Sequence, residues 1–150
     1  MMRKTIFFLL ILTLINCDYQ PIYTNDNANK LIIQEYQLTG DKNINRKIIS
    51  LLNFKKEKNN NSGHILTLNS IKTINTVAKD KTGKTSVFKT SVTINIRLNK
   101  NDNLIKEKSF NATYTYNNSE NKFDLMKYQK NVEDNLVDKL SEEIIIFLNT

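Results

Sequence analysis

The sequence predicts an α+β fold: a two-layer sandwich in which a four-stranded, mostly antiparallel sheet carries two helices on one face, in the order β-α-β-β-β-α. Three patterns lead to it. Phe88, Thr90, Val92, Ile94, Ile96 and Leu98 share one parity and Lys89, Thr93, Asn95 and Arg97 the other, so one face of that strand is buried and one is wet. Tyr128, Val132, Leu136, Leu140, Ile144 and Leu148 recur every four residues, the stripe of a long amphipathic helix. The three glycines, Gly40, Gly63 and Gly83, fall between patterned segments and act as punctuation.

Taken in order, residues 1–16 stand apart. Arg3 and Lys4 precede Thr5 to Ile15, eleven residues without charge. A helix of that length spans about 16 Å, too short for a hydrocarbon core of about 30 Å but suited to the apolar region of an export signal. Residues 17–29 hold the only proline, Pro21, and little periodicity; they are read as an N-terminus and tether, with one folded domain expected over 30–150.

Residues 30–38 are β-branched and aromatic enough for a first strand. Residues 43–56 place Ile44, Ile48, Leu51 and Leu52 on one helical face, with Asp41 or Asn43 as N-cap. The polar run 55–62 is expected to be loop. Residues 64–78 read as a long second strand whose apolar phase changes between Leu66/Leu68 and Ile71, which predicts a bulge near Asn69. After the third strand, 99–103 forms a turn. The fourth strand then places Phe110, Ala112, Tyr114 and Tyr116 on one side. Asn121, three residues before Asp124, is expected to cap the last helix over about 122–148, where Leu125 and Phe147 widen the stripe.

Composition excludes several chemistries. One Cys among 150 residues rules out an internal disulfide, and one His besides rules out the usual Cys/His metal cluster. The formal charge of +7 is weak evidence for any partner, because Asn, Lys and Ile together supply 60 residues, a skew toward A/T-only codons. Removing residues 1–16 takes away Arg3, Lys4 and no acid, leaving +5 on 134 residues. His64 beside Gly63 reads as a surface histidine, and Glu142-Glu143 as part of a solvated helix face. No nucleophile with a base, carboxylate pair or phosphate loop can be assembled, so an enzyme is not expected. Nucleic acid is a poor partner for scattered cations on an exported chain.

The lone cysteine is the most informative residue because of its position. Leu14-Ile15-Asn16-Cys17 resembles the end of a bacterial lipoprotein signal, in which the Cys is lipidated and becomes the mature N-terminus. Each buried CH₂ of such acyl chains contributes about 0.8 kcal/mol. Asn16 stands where a small residue is usual. Asp18 leaves inner-membrane retention open.

The string Cys17-Asp18-Tyr19-Gln20-Pro21-Ile22-Tyr23 resembles the mature start, Cys-Gly-Phe-x-Pro-Leu-Tyr, of the LPS-assembly lipoprotein LptE family, particularly its alphaproteobacterial members. Tyr19, Pro21, Ile22 and Tyr23 match, and Asp18 departs from the small residue. The predicted element order and the length are also similar to that family. The resemblance implies an outer-membrane lipoprotein facing the periplasm. Such a protein plugs the LptD β-barrel, assists its assembly and binds lipopolysaccharide during insertion into the outer leaflet. It implies no cofactor beyond the covalent lipid on Cys17.

Lysines suit the phosphates and carboxylates of lipopolysaccharide. The densest group is Lys79, Lys81 and Lys84, with Lys89 just beyond, between the second and third strands. An ordinary solvated hairpin turn explains the same residues. The alternative function is a lipid-binding or adaptor lipoprotein of another envelope (ABC-type) transport system, which would ask for a deep apolar groove.

Overall fold

The computed structural model describes residues 31–57 and 63–150. Five strands and two helices follow in the order β1 (Ile32–Gly40), α1 (Lys42–Leu52), β2 (Lys55–Lys56), β3 (His64–Lys79), β4 (Thr85–Lys100), β5 (Asn103–Asn117) and α2 (Lys122–Asn149). They form the expected α+β sandwich, one sheet ordered β2-β1-β3-β4-β5 with both helices on one face.

The expected four strands become five. Helix α1 ends at Leu52, earlier than position 56, because Asn53 adopts a left-handed conformation (φ 45°). That residue turns the chain back, so Lys55 and Lys56, expected in a loop, run parallel to β1 opposite Ile32 and Ile33. Strands β1 and β3 are also parallel, joined through α1 as a parallel pair requires. The long ladders β3–β4 and β4–β5 are antiparallel. Asn101 and Asp102 both have positive φ (48° and 63°), the two-residue hairpin conformation that suits strand twist.

The expected bulge at Asn69 is absent. Asn69 stays in register with Thr39 on one side and Asn95 on the other. Register breaks lie instead between Ile33 and Glu35 and between Thr76 and Ala78. The apolar phase changes at Ile71 without a change of register: Leu66, Leu68 and Ser70 are buried on the helix side, Ile71 lies opposite Thr93 on the open face, and every β3 residue from Ile71 to Lys79 is exposed. Strand β1 stops opposite Ser70, and α1 starts there and runs back along it.

The core lies between the helices and the sheet face that carries the even-numbered residues of β3, β4 and β5. Ile33, Leu66, Leu68, Ile94, Ile96 and Leu98 meet Ile44 and Ile48 from α1 and Leu136, Leu140 and Ile144 from α2. Asp41 is the N-cap of α1, its carboxylate accepting from the Asn43 and Ile44 amides, and Asn121 caps α2 in the same way. Gly40 (φ 83°) lets the β1–α1 corner press against β3, since a Cβ there would lie 1.9 Å from the Ser70 carbonyl oxygen. The Asp41 amide donates to that oxygen. Buried Asn45 secures the corner, donating to the Thr39 carbonyl at 2.7 Å and accepting from the Ser70 hydroxyl at 2.7 Å.

Candidate functional site

Cys17, Tyr19, Pro21, Ile22 and Tyr23 lie outside the described residues. The lysine group lies within them, at the β3–β4 hairpin. This hairpin extends past α1, and its tip is built around one carboxylate. Asp80 Oδ1 accepts from the Thr82 amide (2.8 Å), the Thr82 hydroxyl (2.7 Å) and the Lys84 amide (3.0 Å). These bonds, the Thr82 hydroxyl first, hold the carboxyl below the usual aspartate range. Gly83 (φ 84°) completes the turn with open space around it.

The turn gathers Lys79, Lys81 and Lys84, all exposed. Among the described residues none of the three, nor Lys89, makes an ion pair with a carboxylate. Lys89 lies apart from the tip, on the open face of β4 between Asn75 and Thr115. Five residues of strand separate it from Lys84, about 17 Å. The group is therefore a three-lysine tip and one lysine on the wet face.

The open face is a lattice of hydroxyls and amides. Thr67 donates to Gln37 (3.2 Å), Asn111 donates to Thr93 (2.7 Å), and Arg97 pairs with Glu107 at 2.8 Å. On the helix side the charged residues are joined. Glu133, whose side chain is 9% exposed, takes Lys72 of β3 and Lys130 of α2, each at 2.6 Å. Burial pushes the Glu133 carboxyl up, but the hydrogen bonds from Lys130 and Lys72 overcome this and leave it below the ordinary glutamate value. Lys47 of α1 reaches Asp134 (3.1 Å) and Asp138 (2.8 Å) of α2, clamping the helices together. Sequence patterning identified none of these pairs. Glu133 does adjoin Val132 on the stripe, but its partner Lys72 is 61 residues away and no periodicity reports it.

A groove of about 340 Å³ runs between β5 and α2, lined by Ala112, Thr113, Tyr114, Tyr128, Val132 and Leu136 among others. Tyr114 and Tyr128, expected on the buried stripes, are 49% and 44% exposed at its mouth. Among the described residues β5 is the last strand of the sheet, and no further strand closes the groove. Tyr116 lies deeper, edge-on to Tyr128 at 5.5 Å.

No protein-family model and no curated protein matches the chain by sequence. Solved structures do match by fold. A minor lipoprotein from Acinetobacter baumannii superposes with a TM-score of 0.56 at 12% identity, covering 79% of this chain and 92% of its own. An uncharacterized lipoprotein B from Nitrosomonas europaea gives 0.58 at 9% identity, with 77% and 83% covered. A putative lipoprotein from Caulobacter crescentus gives 0.52 at 12% identity, with 76% and 87% covered. At such identities the likeness is one of fold alone: the α+β sandwich of this chain is similar to the fold of these three lipoproteins.

Proposed function

We propose that this protein is the lipoprotein subunit of an outer-membrane lipopolysaccharide-export pair. Cys17 carries the acyl chains that hold it at the periplasmic face, and the domain over 31–150 seats inside an LptD-like β-barrel as a plug. It works by occupancy and binding, not by catalysis. The observation that carries this reading is a sandwich fold, shared with three lipoproteins, directly following Cys17 and the Tyr19-x-Pro21-Ile22-Tyr23 string. The domain's shape suits the role. An open face of Thr, Ser and Asn matches a polar barrel lumen, and the lysine tip offers cations to phosphates.

Recovery of the tagged chain from detergent-solubilised envelopes tests the reading: an LptD-like barrel is expected with it, and its absence overturns the pairing. Recovery of an inner-membrane ATPase complex instead would favour the transport-adaptor alternative, which Asp18 also suits. Cys17→Ser should release the protein to the soluble periplasm; continued membrane attachment would count against lipidation. Replacing Lys79, Lys81 and Lys84 together by Glu should weaken lipopolysaccharide binding by about tenfold or more. Unchanged binding would return the tip to an ordinary solvated turn.

A further inference from the structure

Among the described residues the free edges of the sheet include a stretch of β3 and the whole of β5, and these are built differently. Beyond Ser70, β3 has no partner on the β1 side, but this stretch carries Lys72 and Lys79 and two register breaks, between Thr76 and Ala78 and between Ala78 and Lys79. Lysines and irregularities are the usual protection of an edge. The first half of β5 is protected in the same way. Its register with β4 breaks between Leu98 and Asn99, Lys106 turns toward the helix to donate to the Phe147 carbonyl, and Lys108 covers the Phe110 ring at 4.8 Å. The second half has neither device. Ser109 to Asn117 contains no charge, proline or glycine, and its register with β4 is unbroken.

We infer that this protein forms a two-fold dimer through the Ser109–Asn117 edge of β5, paired antiparallel with the same edge of a second copy about an axis at Thr113. The segment is self-complementary in that register. Ser109 would face Asn117, Asn111 would face Thr115, and two Thr113 would meet at the axis, all on the open face. On the helix side Ala112 would face Tyr114 of the second copy. The small residue leaves room for the large one, and the 340 Å³ groove that Ala112 lines is large enough for a tyrosine side chain. Each half-exposed Tyr114 thus gains a seat against Val132 and Leu136 of the other copy. No like charges oppose one another in the paired segment, although the chain as a whole is cationic. Nine paired residues and one seated tyrosine per copy lie at the small end of specific interfaces, so the dimer is a weak and reversible one. The inference does not depend on the lipopolysaccharide reading.

The test is sedimentation of the full chain in detergent. The wild-type protein should show a concentration-dependent monomer–dimer equilibrium. Thr113→Lys and Thr113→Glu, exposed substitutions that place like charges face to face at the axis, should each weaken it by about tenfold or more. An equimolar mixture of the two variants should restore the dimer. A wild-type chain that stays monomeric at high concentration overturns the proposal, as does a dimer that both variants leave intact. Ile74→Lys on the free part of β3 should leave the dimer unchanged; loss of dimer there and not at Thr113 would move the interface to the other edge. Thr113→Cys supplies a reading that does not depend on charge: an inter-copy disulfide is expected on oxidation, and none forming overturns the two-fold register.

Discussion

The two ends of the sheet are made from the same strands and end up in opposite environments. At one end Leu66, Leu68, Ile94, Ile96 and Leu98 lie sealed beneath α1 and α2. At the other, Ile74 of β3, on the same helix-side face, is 41% exposed. Residue type does not separate the two ends. Length does: α1, with 11 residues, spans about 16 Å, about five residues of strand, whereas β3 runs for 16. Only α2, with 28 residues, extends over the remainder, and its first turns leave Phe123 and Met126 in solvent. The covered end holds the stability of the molecule. The overhanging end offers surface.

Two glycines with nearly the same φ provide the sharpest contrast between the ends. Gly40→Ala at the covered end combines a disfavoured conformation with a clash against the Ser70 carbonyl, and should cost about 3–5 kcal/mol in denaturant unfolding. Gly83→Ala at the tip meets nothing within 4 Å and should cost about 1–2 kcal/mol, the conformational term alone. Equal losses would remove the distinction. Ile144→Ala, under the covered end and fully buried, should lose about 2–5 kcal/mol through lost transfer energy and the cavity left behind.

Glu133 stands at the border between the ends. Its carboxyl titrates below the ordinary 4.5 in the folded protein, so its contribution is fully present above that pH and is lost as pH falls through the lowered value. Stability measured between pH 7 and 3 should fall less steeply in Glu133→Gln than in wild type. At pH 7 that variant should be less stable by about 1–2 kcal/mol, having weakened its hydrogen bonds to Lys72 and Lys130. Identical pH profiles would mean that the pairs contribute nothing measurable. The smallest effect is expected for Ile71→Thr on the open face of the overhang, within about 0.5 kcal/mol of wild type, since the side chain is already half in water.

Much of this architecture was legible in the residues. The alternation in β4 identified the buried face without error, and the four-residue recurrence located α2 to within a residue of its observed end. Asp41 and Asn121 were readable as caps because capping is local chemistry. The bulge expected at Asn69 failed for an instructive reason. A change of apolar phase was read as a change of backbone, when the strand continues in register and Ile71 lies on the open face. The two-residue β2 escaped detection because Lys55 and Lys56 carry no pattern of their own and pair only where the left-handed Asn53 returns the chain to β1.

At the candidate sites the division is the same. Lys79, Lys81 and Lys84 are close in sequence and remain close in space because a tight turn keeps them so, whereas Lys89 is carried away along the strand. The sequence by itself determined what short-range physics dictates: the class of fold, the face of each element that turns inward, the caps, the turns and the position of Cys17 ahead of the domain. Only the tertiary structure decided which apolar residues stay covered, that Glu133 joins two lysines from different elements, and that half of β5 presents an uncharged edge beside a groove. Those features depend on relative lengths and on contacts between distant parts of the chain, and local pattern contains no information about either.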